Sequence, residues 1–438
     1  MSNNLTALTP SKHLEALFDN GNYTEVGAHL ARLGGEPQGV VCGYGPVDGR
    51  LVFAFAQDES RMKGAFDSRS VKKIENLYSL ALKSGAPVVG VFAASGSVVS
   101  EGSALLGGIG AFLSLIARAS GEIPQIALVA GTCTGSMAVA ASMFDLAISV
   151  KDAEFSVSSK YISGGVCPAK AGLSAIVSET ESELYAAAKK LIAALPDSAD
   201  CITSFDNEAA LNRPLGLNAE EVKNADKLIC AFADGEFLEL YKSVGNAIKV
   251  GFAPLGGSYV GIVANDYSVK GGAITPAAAK KAASFVDLCS EYSIPVITFI
   301  NSDGLDASAE SDEGALALAA AELTKAYRYC DAPTVSAVVG RACGAVLPIM
   351  GSGCGASDVT FALDNAVISP MTPEASVAFM RNDEISDSVS RESLEKDFAM
   401  NEASAENAAA EGEIDFICGV DELRQRISGA LMMLCPDC

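Results

Sequence analysis

The sequence predicts an α/β fold built twice in tandem, each copy a mostly parallel sheet covered by helices. Three observations predict it. First, Gly43 to Phe66 (GYGPVDGRLVFAFAQDESRMKGAF) and Gly251 to Ile274 (GFAPLGGSYVGIVANDYSVKGGAI) share glycines, prolines, small residues and a Gln-Asp/Asn-Asp pair in register, about 208 residues apart. Second, Pro87 in APVVGVFAASG matches Pro295 in IPVITFINSDG at that offset, and Pro124, Gly131 and Gly135 match Pro333, Gly340 and Gly344 one residue further out. Third, the strands read as unbroken apolar runs alternating with helical segments, the pattern of parallel strands buried on both faces. A period above two hundred residues is too long for a solenoid, so it reads as a duplicated enzyme-sized domain.

Each copy opens on a short amphipathic helix that ends in a turn, HLEALFDNGNYTEV around Gly21 and KLICAFADGEFLEL around Gly235. Two β-rich segments follow, either side of a turn at Gly49 or Gly257. Next come a helix (68–83; 276–292), a buried strand (87–93; 295–300) and a loop of small residues. A further apolar helix then leads to a second buried strand, IPQIALVAG or APTVSAVVG, that ends in glycine. The stretch 196–224 is polar, carries two prolines and has little periodicity; it reads as the linker. The domains are therefore expected at 1–224 and 225–438. Near the end of the chain, Leu423, Ile427, Leu431 and Leu434 mark an amphipathic helix expected to pack back on its own domain.

Charge and composition exclude several functions. Acidic residues number 54 against 31 basic ones, a net charge of -23, which speaks against nucleic acid or an anionic membrane as partner. No signal peptide and no apolar stretch long enough to span a bilayer is evident, so a cytoplasmic location is expected. The twelve cysteines lie scattered in apolar segments and suggest a reducing compartment; only Cys435 and Cys438 have a CxxC spacing, with no second pair, and no metal site is expected. Histidine is limited to His13 and His29, both in the N-terminal region, which disfavours catalysis by imidazole. There is no GxxxxGK[ST] phosphate loop and no biotin-attachment lysine between methionines.

The candidate chemistry sits in the second glycine landmark of each copy. In Gly131-Thr-Cys-Thr-Gly-Ser136 and Gly340-Arg-Ala-Cys-Gly-Ala345 a buried strand ends in small residues before a helix, which leaves backbone N–H groups aimed beyond the strand. Two such donors can stabilise a developing oxyanion, and small side chains let a substrate approach. The loops after the preceding strands, Ala94-Ser-Gly-Ser97 and Asn301-Ser-Asp-Gly304, border the same space if the strands are neighbours. The acidic stretch with Asp303, Asp306 and Glu310 to Glu313 reads as surface, and Asp145 and Asp358 as caps.

These segments, in this order and over nearly the whole chain, resemble the carboxyltransferase subunits of biotin-dependent acyl-CoA carboxylases and decarboxylases, of the crotonase superfamily. The resemblance rests on ALFDNGNYTEV, LALKSGAPVVGVFAASGSVVSEG and IPQIALVAGTCTGSMAVAASMFD in the first half, and on FADGEFLEL, AASFVDLCSEYSIPVITFINSDG and AAAEGEIDFICGVDELR in the second. It implies two crotonase-like (ββα-superhelix) domains, acyl-CoA bound by the first and biotin, on a separate carrier, by the second. It further implies a homo-oligomer, a hexamer built as a trimer of dimers, with active sites between domains of different subunits. Its partners would be a biotin carboxyl carrier protein and either a biotin carboxylase or a membrane decarboxylase subunit. Because the cofactor's own ureido nitrogen would take the α-proton of the acyl group, two histidines suffice. Carried over residue by residue, Gly135 and Ser136 would stabilise the thioester enolate, and Gly344, Ala345 and Val346 would hold the ureido oxygen. Ser95, Gly96, Ser97 and Gly131 would line the acyl-CoA side, and Asp303, Gly304 and Gly340 the biotin side.

The chain departs from the family's pattern at Ser136, where glycine is usual, at Ser95-Gly-Ser-Val-Val, which lacks an arginine, and after Ile300, which lacks a Pro-Gly-Phe-x-Pro-Gly run. The alternative these departures raise is a non-catalytic scaffold subunit of such a complex. A hydratase or isomerase of the crotonase type would need a carboxylate beside the turn and has no use for a second turn.

Overall fold

The computed structural model describes residues 10–28, 39–57, 65–93, 97–158, 160–197, 205, 211–351 and 355–435. His29 and Cys438 lie outside the described residues, so the CxxC at the chain end does too. The chain divides into two compact units, Met1–Cys201 and Ile202–Cys438.

In the first unit, β1 (Thr24–Val26), β2 (Val40–Val47), β3 (Arg50–Gln57), β4 (Val88–Phe92), β5 (Gln125–Val129), β7 (Leu146–Val150) and β9 (Ile176–Ser178) form one sheet in the order β1-β2-β3-β4-β5-β7-β9, and β6 (Thr132–Thr134) pairs with β8 (Glu154–Ser156). The first two pairings are antiparallel and the rest parallel. The second unit repeats this with β10 (Leu238–Leu240), β11 (Ile248–Leu255), β12 (Ser258–Asn265), β13 (Val296–Ser302), β14 (Thr334–Cys343), β15 (Val359–Leu363) and β17 (Phe416–Cys418), while β16 (Val367–Ser369) pairs with the end of β14. The inner parallel strands β4, β5, β7, β13 and β15 are buried throughout, as their unbroken apolar runs predict.

The repeated landmarks have hydrogen-bonding reasons. The carbonyls of Pro87 and Pro295 accept the N–H of Phe53 and Gly261 at 2.9 and 2.8 Å; those of Pro124 and Pro333 accept Val88 and Val296 at 2.9 and 2.8 Å. A proline donates nothing, so it suits a strand's first position, where only its carbonyl is wanted. The side chains of Gln57 and Asn265 accept the N–H of Ala93 and Asn301, at 3.1 and 3.3 Å, where β4 and β13 end. Asp145 and Asp358 accept the first N–H of β5 and β14, from Gln125 at 2.6 Å and Thr334 at 2.7 Å. They are strand caps, as expected. The turn of the β2–β3 hairpin puts Asp48 and Gly49 at φ 48° and 80°, that of β11–β12 puts Gly256 and Gly257 at 58° and 96°, the left-handed pairs such tight turns require.

Helices start where the sequence supplies caps. Asp67 accepts the N–H of Ser70 to open α2 (Ser68–Ser84), and Thr275 does the same with Ala278 for α7 (Pro276–Glu291). The chain's last helix, α11 (Leu423–Leu434), buries Leu423, Ile427 and Leu431 in the second unit's core with Leu434 packed against it.

One boundary differs from expectation. The stretch read as linker does not separate the units at 224/225, because Leu211, Leu215 and Val222 are buried in the core of the second unit and Phe205 packs on it. Three anchoring apolar side chains suffice to dock a segment whose composition is otherwise polar.

α1 (Pro10–Leu17) brings His13 against Tyr185 of α5 (Glu181–Ala194), whose hydroxyl meets its Nδ1. Among the described residues its Nε2 has no partner, and burial lowers the imidazole pKa from 6.5 to about 4. The neutral form is thus preferred in the folded unit, so its stabilisation is complete above pH 6.5 and lost as pH falls toward 4; the full effect is on the order of 3 kcal/mol. His13→Leu is expected to flatten the fall in the melting temperature of the protein between pH 6.5 and 4.5. An unchanged pH profile removes His13 as its source.

Candidate functional site

In the first unit, β5 runs into Ala130 and Gly131, whose carbonyl accepts the N–H of Glu154 at 3.1 Å. β6 then carries the chain to Gly135, the residue before α4 (Ser136–Ser142), at φ 63° and ψ -133°. Only glycine occupies that region without strain. A side-chain carbon on Gly135 would meet nothing within 4 Å among the described residues, so the constraint there is conformational. The N–H of Gly135 is already in use: it donates to the carbonyl of Val157 at 3.0 Å. It therefore does not supply a free oxyanion donor, contrary to the sequence expectation. The first-turn N–H groups of α4, at Ser136 and Met137, have no intrahelical acceptor.

The second unit reproduces this arrangement. Gly344 also has φ 63°, and its N–H donates to the carbonyl of Ser369 at 3.0 Å. Ala345 precedes α9 (Val346–Met350), so the N–H groups of Ala345 and Val346 are the corresponding ones. A side-chain carbon on Gly344 would lie 3.8 Å from the Pro370 carbonyl oxygen and 3.9 Å from Gly304 Cα. Gly304 therefore borders the turn, as β13 beside β14 requires. Its own N–H is tied to Ser302 Oγ at 3.1 Å, so it offers a side-chain-free surface and not a donor.

The other predicted residues separate. Ser95 and Gly96 lie outside the described residues. Ser97 bridges Phe66, and the N–H of Val98 donates to the Phe66 carbonyl at 2.9 Å. Gly340 is buried against a side chain: a side-chain carbon there would sit 2.3 Å from Asn301 Oδ1. The reason is a bulge. Ile300 pairs with Val338 but Ser302 with Ala342, so β14 carries extra residues, and Asn301 fills the gap they leave. Asn301 Oδ1 accepts the N–H of Arg341 at 3.0 Å, and its Nδ2 donates to the Lys223 carbonyl at 3.1 Å.

Asp303 is not simply exposed surface. Arg341 Nη1 donates to it at 3.0 Å, Arg341 Nη2 donates to Glu374 at 2.8 Å, and the Tyr267 hydroxyl lies 3.2 Å from Asp303 Oδ2. Burial, then hydrogen bonds to Glu374 and Asp303 that outweigh it, leave the Arg341 guanidinium with a pKa raised above its usual value. Burial also raises the Tyr267 phenol. Asp306 pairs with Lys270 at 2.7 Å and with Ser311 Oγ at 2.7 Å, which hold its pKa down at about 2. Residues Ala309–Glu313 form a short helix capped by Ser308. The sequence reading missed Tyr267, Arg341 and Glu374; the one available signal was a lone arginine inside a small-residue turn.

No described helix is long and apolar enough to cross a membrane. The described cysteines are free thiols, with burial raising those of Cys133 and Cys343, beside the two turns, to about 12 and about 11.

Comparison with known proteins agrees with this geometry. The carboxyl transferase domain matches residues 6–435. A propionyl-CoA carboxylase beta chain of Cereibacter sphaeroides is 27% identical over 98% of this chain and 90% of its own. A methylmalonyl-CoA decarboxylase subunit alpha of Veillonella parvula is 27% identical with the same coverage. Among solved structures, the transcarboxylase 12S hexamer with methylmalonyl-coenzyme A bound superposes with a TM-score of 0.87 at 26% identity, over 98% of this chain and 90% of that one. The two sheets, the duplicated glycine turns and these matches together identify the chain as a member of the carboxyl transferase domain family, an enzyme of the crotonase-like fold.

Proposed function

We propose that this chain moves a carboxyl group between biotin on a separate carrier and a short acyl-CoA of the propionyl/methylmalonyl, acetyl/malonyl or glutaconyl type. The observation that carries the reading is the duplicated turn: each unit has a glycine at φ 63° whose own N–H is held by a returning segment while the next residues open a helix. In the first unit the N–H groups of Ser136 and Met137 would receive the thioester oxygen as negative charge develops on it. Gly135 would set their direction, and Ser97 and Gly131 would shape the wall. In the second unit Ala345 and Val346 would receive the ureido oxygen, with Gly344 setting direction and Gly304 leaving room. Biotin, when bound, supplies the carboxyl group and the nitrogen that handles the α-proton. The chain's own contribution is then electrostatic, and each donor is worth about 3 to 4 kcal/mol of barrier lowering. The small residues around Gly344 and Gly304 suit a planar ureido group approaching the backbone.

The transcarboxylase 12S structure is described as a hexamer, and the same assembly is proposed here, with a biotin carboxyl carrier protein and either a biotin carboxylase or a membrane decarboxylase subunit as partners. A cytoplasmic location is supported by the free thiols and the net charge of -23. Purified protein incubated with methylmalonyl-CoA or malonyl-CoA is expected to lose the substrate's carboxyl group only when free biotin is added, measured by chromatography of the CoA esters. No biotin-dependent loss with any short acyl-CoA, from an intact oligomer, selects the scaffold reading instead.

A further inference from the structure

The cluster of Tyr267, Asp303, Arg341 and Glu374 gathers side chains from four places in the second unit: past the end of β12, past β13, in the bulge of β14, and the first turn of α10 (Pro373–Met380). Three of these are at the carboxyl ends of neighbouring strands, where ligands of a parallel sheet collect. Arg341 is held at both ends. Its backbone N–H is fixed by Asn301 and its guanidinium by Asp303, the two residues either side of Ser302, while Glu374 grips the far side. Three residues beyond Arg341 the chain makes the Gly344 turn; one residue beyond Asp303 is Gly304, which touches that turn. The guanidinium placed next to these two glycines thus makes one charge-assisted bond to Asp303, at 3.0 Å, and is gripped by both carboxylate oxygens of Glu374 from the other side.

We propose that Arg341, clamped between Asp303 and Glu374, is a positioning residue that fixes the 301–304 loop against the Gly344 turn and so sets the fit of the biotin ring. This rests on the functional reading above. It differs from a purely structural ion pair in one respect: it acts on one substrate only, because the acyl-CoA donors belong to the other turn.

The test is steady-state kinetics of biotin-dependent decarboxylation, varying free biotin and methylmalonyl-CoA separately, with biotin binding followed in parallel by saturation-transfer NMR. Arg341→Met and Asp303→Asn are expected to raise the KM for biotin, and weaken its NMR binding, by about tenfold or more while the KM for methylmalonyl-CoA stays within about twofold. Arg341→Lys retains one ion pair and is expected to recover part of the loss, and Glu374→Gln to fall between. Wild-type activity with an unchanged biotin KM in the variants overturns the positioning role alone. Equal rises in both KM values with a lowered melting temperature reduce the cluster to structure. A wild-type protein that neither turns over nor binds biotin overturns the functional reading, and this proposal with it.

Discussion

Replacing Gly135 with valine is expected to lower the carboxyl-transfer rate by about 10²- to 10³-fold while the folded chain and its oligomer persist. The two halves of this expectation come from different numbers. The φ of 63° with ψ of -133° is closed to a β-branched residue, at a cost of roughly 1–3 kcal/mol if the conformation is kept. Yet no described residue lies within 4 Å of the added side-chain carbon, so the cost is conformational and not one of close packing there. The easier escape is a local change of backbone angles, which reorients the Ser136 and Met137 N–H groups relative to the proposed position of the thioester oxygen and releases the bond to Val157. Catalysis by fixed donors is sensitive to such rotation, whereas the buried face of α4, formed by Met137, Ala138, Ala140 and Ala141, is not. Turnover with free biotin and size-exclusion chromatography measure the two halves. Full retained activity excludes Gly135 from the site.

The parts of this molecule that were legible in the sequence are those enforced by local chemistry. A proline that opens a strand, an Asp or Thr that caps a helix and a glycine in a left-handed turn each have few substitutes, so they recur at matching positions after duplication: Pro87 and Pro295, Asp67 and Thr275, Gly135 and Gly344. Two features were hidden because they depend on distant partners. Gly135 donates to Val157, on the segment that follows β8, and nothing in GTCTGS reveals that this N–H is taken. Likewise Arg341 meets Asp303 and Glu374 across separations of 38 and 33 residues. One sequence cannot pair charges over such distances. The segment before Asn224 was hidden for another reason, since Leu211, Leu215 and Val222 lie four and seven residues apart, a helical spacing, in a stretch that forms turns and not a helix, and only their burial shows their purpose.

Gly340→Ala is expected to be the more damaging change in the second unit, lowering stability and raising the KM for biotin together. A methyl group there would lie 2.3 Å from Asn301 Oδ1 and 2.6 Å from Cγ, a distance neither group can tolerate. Asn301 is 3% exposed and cannot swing into solvent; to make room it must leave the bulge. It then gives up its bonds to the Arg341 N–H and the Lys223 carbonyl, in a buried site where an unmade hydrogen bond costs about 1–3 kcal/mol. Overpacking strain adds about 1–3 kcal/mol more. A double variant, Gly340→Ala with Asn301→Ala, separates the causes. Removing the asparagine relieves the overlap but not the lost bonds, so the pair is expected to be less destabilised than the sum of the two single variants, with a coupling of about 1–2 kcal/mol in denaturant unfolding. Strict additivity would mean that Gly340 is not there to admit Asn301. If the coupling appears but the biotin KM of Gly340→Ala is unchanged, the bulge shapes the fold of β14 and leaves the geometry of the Gly344 turn to other contacts.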